Sequence, residues 1–188
     1  MKKAYTIGLF FLLLLTADRG YAQSADLEKS VTSMFKLNFF VPGISYEQKI
    51  AQYQTLHFAT YLDAITSTQT SNNGDQTNVF LAPSISVEIR NYYNLNKRER
   101  KGKRTDMNSG NYLAPVYIGK YAYKNDFGTE TWFNQIGAVW GLQRTAPSGF
   151  SFDLNLGLGY TWSEPFSGYS NGVDILFQLA LGFRIGGK

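Results

Sequence analysis

FSFDLNLGLGYTW, residues 150–162, separates into two interleaved sets of side chains. Phe150, Phe152, Leu154, Leu156, Leu158, Tyr160 and Trp162 fall on one parity, and Ser151, Asp153, Asn155, Gly157, Gly159 and Thr161 on the other. A period of two places such sets on opposite faces of a β-strand. The same division recurs in VDILFQLALGFRI, residues 173–185, where only Leu176 falls on the wrong face, and in residues 79–90, where Phe80 is the exception. A weaker version in the 130s and 140s sets Trp132, Ile136, Ala138, Trp140 and Leu142 against Gln135, Gly137, Gly141 and Gln143.

Extending this reading between turn signals predicts eight strands, near 33–41, 44–50, 55–66, 79–93, 112–123, 131–144, 150–163 and 173–185. The connections at 51–54, 67–78, 94–110, 125–130, 146–149 and 164–172 are mostly polar, and Pro42-Gly43 makes a very short turn. No helical periodicity of useful length separates the strands. Aromatic residues at 16% and charged residues at 17% reinforce an all-β class, because Tyr and Phe fit pleated surfaces.

Lys2 and Lys3 precede an apolar run from Ile7 to Leu15, and Gly20-Tyr21-Ala22 offers small residues at the two positions a signal peptidase reads. Residues 1–22 are therefore expected to be a secretory signal peptide, with residues 23–188 forming one β domain. Cysteine is absent, which excludes a disulfide framework and a lipid-modified cysteine. Any membrane attachment must come from the fold.

The formal charge of +4 is local in origin. Removing Lys2, Lys3, Arg19 and Asp18 leaves about +2, and Lys97, Arg98, Arg100, Lys101, Lys103 and Arg104 place six of the 18 basic residues within eight positions. The remainder is acidic. The charge balance thus gives no case for a nucleic-acid partner.

Which set faces water follows from volume. An eight-stranded barrel has an interior just wide enough for side chains to fill it. The three clearest strands alone would put about twenty mostly bulky apolar residues there, and eight strands would overfill it. The Gly, Ser, Ala, Asn and Gln of the opposite set suit a narrow polar lumen. Phe152 to Trp162 is five two-residue steps, about 33 Å along a strand and roughly 25 Å once tilted, the height of a lipid-facing band between aromatic girdles. The expected fold is an eight-stranded antiparallel up-and-down transmembrane β-barrel, whose closure leaves no unpaired edge in lipid.

In this pattern and length the chain resembles the small eight-stranded outer-membrane β-barrels of Gram-negative bacteria, the OmpA/OmpX-like group. Its last strand looks like that family's C-terminal insertion signal, although it ends Ile185-Gly186-Gly187-Lys188 instead of on an aromatic residue. The resemblance implies residence in the outer membrane among its lipids, and the even strand count then places both termini in the periplasm. The basic segment then lies on the periplasmic side, where turns are normally short.

By parity Glu47, Glu88, Arg90, Asp153 and Arg184 project inward and are expected to pair as a structural polar network, since an isolated charge there is costly. His57, the single histidine, is also expected to face inward. A lipid-hydrolysing site would need an orienting acid and a nucleophile facing lipid, and Asp63 stands about 20 Å along the strand from His57. No catalytic, cofactor or metal site is expected, because one histidine and scattered carboxylates provide no ligand cluster. The basic run is a solvated loop or a contact for phosphate or another polyanion. The expected role is a non-enzymatic outer-membrane barrel, structural or interactive, acting on a periplasmic or cell-surface partner through its loops. The alternatives are a narrow conduit for small polar solutes, a lipid-modifying enzyme, and a soluble exported barrel that binds an apolar ligand.

Overall fold

The computed structural model describes residues 30–71, 74–122, 131–164 and 171–185, with the backbone alone for 64–71 and 74–80. The predicted signal peptide lies outside these residues. Each alternating segment is a strand: β1 (Met34–Asn38), β2 (Gly43–Lys49), β3 (Gln54–Ser71), β4 (Gly74–Tyr92), β5 (Asn111–Ala122), β6 (Thr131–Thr145), β7 (Phe150–Glu164) and β8 (Gly172–Ile185). Every strand pairs antiparallel with its neighbours in sequence, and β8 returns to β1 through Phe35↔Ile185 and Leu37↔Phe183. The sheet therefore closes on itself as one up-and-down ring.

Side-chain exposure follows the period of two. Along β7, Ser151, Asp153 and Asn155 are buried while Leu156, Leu158 and Tyr160 are exposed. Along β4, Ala82, Ser84, Ser86, Glu88 and Arg90 are buried while Leu81, Pro83 and Ile85 are exposed. Leu176, on the wrong face by pattern, points inward and packs with Val116 and Val139. Phe80 lies among the residues whose side chains are not described. The exposed apolar surface is extensive: Leu81, Leu158, Val173, Ile175 and Phe177 are each between 62% and 78% exposed.

Outer aromatic residues occur at both ends of this surface, as well as along it at Phe58 and Phe177. Tyr121–Trp132 and Tyr160–Trp162 are ring pairs at one end, with centroids 5.0 and 6.4 Å apart. Toward the other, Trp140 Nε1 donates to Tyr93 Oη at 2.8 Å, and Phe150 and Phe183 meet edge to face at 5.6 Å.

Three connections differ from expectation. The turn expected at Pro42-Gly43 spans residues 39–42 instead, because β1 ends at Asn38 and Gly43 already pairs with it in β2. Residues 67–78 are mostly strand, with the ladder continuing to Ser71↔Gly74. Cross-strand hydrogen bonding continues through this polar Thr, Ser, Gln and Asn sequence without needing an apolar face. Residues 94–110 contain a short helix, α1 (Leu95–Arg100), too brief to show a helical period. Lys97, Arg98 and Arg100 occupy its last turn, where cations complement the helix dipole. Gly102, at φ +64°, accommodates the left-handed turn that follows.

The segment after α1 folds back across one end of the ring. Asn108 grips the backbone of Thr32, accepting from its N–H and donating to its C=O, both at 2.8 Å. Asn94 Oδ1 accepts from Asn111 N at 2.8 Å, and Asn96 donates to Tyr53 Oη at 2.8 Å. Leu95 is buried beside Val31, Tyr92 and Tyr112. The length that looked anomalous for a simple turn is used to cover the ring's end.

Candidate functional site

Above this cap, a layer of charged side chains crosses the interior. The register builds it: Glu47 pairs with His57, and His57 with Glu88, so three titratable groups form one row across β2, β3 and β4. Arg90, two residues along β4, shares their face. Its Nε and Nη2 donate to the two carboxylate oxygens of Glu88 at 2.9 and 3.2 Å. Its Nη1 donates to Asp153 Oδ2 at 2.7 Å and to Gln143 Oε1 at 2.9 Å. The guanidinium also lies over the Tyr112 ring, 4.4 Å from the centroid.

Asp153 is held from three sides, by Arg90, by Tyr112 Oη at 2.8 Å and by Lys36 Nζ at 3.3 Å. Lys36 also donates to Gln143 Oε1 at 2.8 Å. Glu47 accepts from Thr55 at 2.6 Å, Tyr92 at 2.8 Å and Gln143 at 3.2 Å. Gln143 thus uses its amide oxygen toward the cations and its nitrogen toward a carboxylate, linking the two halves of the layer. Hydrogen bonds to ionised partners are roughly twice as strong as neutral ones, which makes these buried charges tolerable.

Four of the five predicted inward charges, Glu47, Glu88, Arg90 and Asp153, are brought together here. Arg184 is opposite Lys36 in register and so shares the inward face, but lies half-buried at the rim. Lys36, Tyr92 and Tyr112 were missed. The alternation Met34, Lys36, Asn38 against Phe35, Leu37, Phe39 could have revealed Lys36. The tyrosines depart from the rule of small inward residues, and the space comes from glycine. A Cβ at Gly141 would overlap the Tyr112 ring.

His57 is inward and fully buried, as expected. The acid facing it is Glu88 on the neighbouring strand, 3.5 Å from Nδ1, a cross-strand neighbour that spacing along one strand does not disclose. Asp63 instead pairs with Lys120 at 2.8 Å. Neither nitrogen of His57 has a hydrogen-bond partner among the described residues. Beyond the layer, away from the cap, lies a cavity of about 520 Å³ lined in part by Tyr61, Asp63, Ser84, Ser86, Lys120 and Gln135. Among the described residues, no group of three His, Asp or Glu side chains is placed to hold a metal ion.

The basic run divides in the structure. Lys97, Arg100, Lys101 and Lys103 are exposed, whereas Arg98 and Arg104 are half-buried. Arg98 donates from Nε and Nη2 to the Arg104 carbonyl at 3.2 and 2.9 Å, tying the ends of the run together. Its partial burial lowers its pKa from the ordinary guanidinium value.

Comparison with known proteins finds no matching family model, curated protein or solved structure.

Proposed function

We propose that this chain is an integral outer-membrane β-barrel of the small eight-stranded kind, non-enzymatic, with its interior plugged by a layer of polar side chains and its role structural or interactive. The observation that carries the reading is the inverted distribution of side chains. Arg90, Glu88, Glu47 and Lys36 are inside while Leu81, Leu158, Ile175 and Phe177 stand outside. Water would penalise such an exterior over so large an area, and hydrocarbon would favour it. Closure supports the same reading, since lipid leaves unpaired backbone groups unsatisfied.

The charge layer and the cap oppose passage through the ring, which favours a plugged barrel over a conduit. Interaction then falls to the parts beyond the apolar band. The polar β3–β4 hairpin continues past Tyr61 on β3 and Ser84 on β4, where the described ladders to β2 and β5 end. Such strand edges can pair with an extended segment of a partner.

Membrane fractionation followed by a gel run with and without boiling tests the proposal. A membrane-bound species that migrates compactly until heated supports it, and a protein that stays in solution without detergent refutes it. Planar-bilayer recording separates the remaining alternative, since discrete openings would establish a conduit.

A further inference from the structure

We infer that the cap is an anionic-lipid contact, holding phospholipid headgroups of the leaflet at its own end of the ring through Lys97, Arg100, Lys101 and Lys103. The inference rests on the membrane-spanning reading and adds a ligand class to it.

The first argument is charge placement. At the capped end the described residues include Lys49, Lys97, Arg98, Arg100, Lys101, Lys103, Arg104, Arg144 and Arg184, against Glu99 and Asp106, an excess of seven positive charges. At the opposite end the described residues include Lys120 against Asp63, Asp75, Glu164 and Asp174, an excess of three negative charges. Among the described residues the charge is thus polarised along the ring axis.

The second argument is position. The belt residues Tyr93, Leu113 and Trp140 are 40–55% exposed, and Trp140 is hydrogen-bonded to Tyr93. Tyr93 lies two residues before α1 begins, so the cations follow directly where the aromatic residues end. Tyr and Trp sit at headgroup level at a membrane interface, and long basic side chains there reach phosphate.

The third argument is order. The run is not a free tail, since Asn108 on Thr32, Asn94 on Asn111 and Arg98 on the Arg104 carbonyl fix its path. Clustered cations on such a surface are attracted to anionic lipid in proportion to their number.

The test uses Trp140 as a native reporter, in a full-length background carrying Trp132→Phe and Trp162→Phe. The protein is reconstituted into phosphatidylcholine vesicles with increasing brominated phosphatidylglycerol, or with brominated phosphatidylcholine. Fluorescence quenching then gives the relative association of each lipid. Anionic lipid is expected to be preferred about fivefold, the ratio that one headgroup-level cation supplies. The preference should weaken with salt and fall toward unity in the variant K97Q/R100Q/K101Q/K103Q. K97R/K101R/K103R should retain it. Equal quenching by both lipids in the unsubstituted cap overturns the lipid contact while leaving the spanning reading intact. Quenching by neither, in a folded protein, refutes the spanning reading itself. Equal lipid quenching with cap-dependent binding of inorganic polyphosphate would assign the patch to a soluble polyanion and overturn the inference.

Discussion

Arg90 on β4 and Asp153 on β7 are joined across the interior by a 2.7 Å hydrogen bond between Nη1 and Oδ2, linking strands three places apart in the ring. The bond runs through the inside of the ring, so it reinforces closure independently of the backbone ladders. Arg90→Ala would leave Glu88 without its bidentate partner and Asp153 without its shortest one. The expected loss is about 3–5 kcal/mol, the cost of breaking a buried pair by removing one member. Urea unfolding in detergent micelles should show it. Arg90→Lys should lose less, because it keeps the charge but cannot span both carboxylates in the same fork.

Gly141 and Tyr112 occupy one space between them. Gly141→Val would push the Tyr112 ring off the Arg90 guanidinium and its hydroxyl from Asp153. A destabilisation of about 1–3 kcal/mol is expected from overpacking. Gly172→Ala, where an added Cβ meets nothing within 4 Å, is the control and should leave the unfolding midpoint unchanged.

Spin labels at Leu156 and Leu179 should be reached by oxygen and shielded from an aqueous nickel complex when the protein is in lipid vesicles. The opposite pattern would place the apolar face in water and overturn the membrane reading. Leu156→Lys, near the middle of the band, should cost about 2–4 kcal/mol in a bilayer.

The cap should loosen without collapse of the ring when Asn108→Ala removes its two bonds to the Thr32 backbone. Trypsin cleavage within residues 97–104 should accelerate about tenfold, corresponding to one or two net hydrogen bonds of local stability. Cleavage at the same rate in both proteins would show that Asn108 does not hold the segment.

Mass spectra of lipid A should be the same from cells overproducing the parent chain, cells overproducing His57→Gln and cells carrying neither. His57 is 1% exposed on the inner face, away from any acyl chain outside the ring. A mass change produced by the parent and lost in the variant would establish the enzymatic alternative instead.

What the sequence determined by itself was the number of strands, the ends of most of them and the face that most residues take. These follow from a local rule, since successive side chains on a strand alternate sides whatever the strand pairs with. The split between Leu156 and Asn155, or between Ile89 and Arg90, is therefore visible in the chain alone. Leu176 broke the pattern because an apolar residue is equally at home beside Val116 and Val139 inside or on an apolar outer surface.

The tertiary structure alone decided which inward residues meet. Register around the ring brings Glu88 to His57 and carries Arg90 to Asp153, separations of 31 and 63 residues that no spacing along one strand reports. It also decided the fate of residues 94–110. As a sequence they read as an overlong polar connection. Asn108, Leu95 and Thr32 make them a cap because the ring's end supplies a backbone to bond and an apolar hollow to fill, partners that exist only once the sheet has closed.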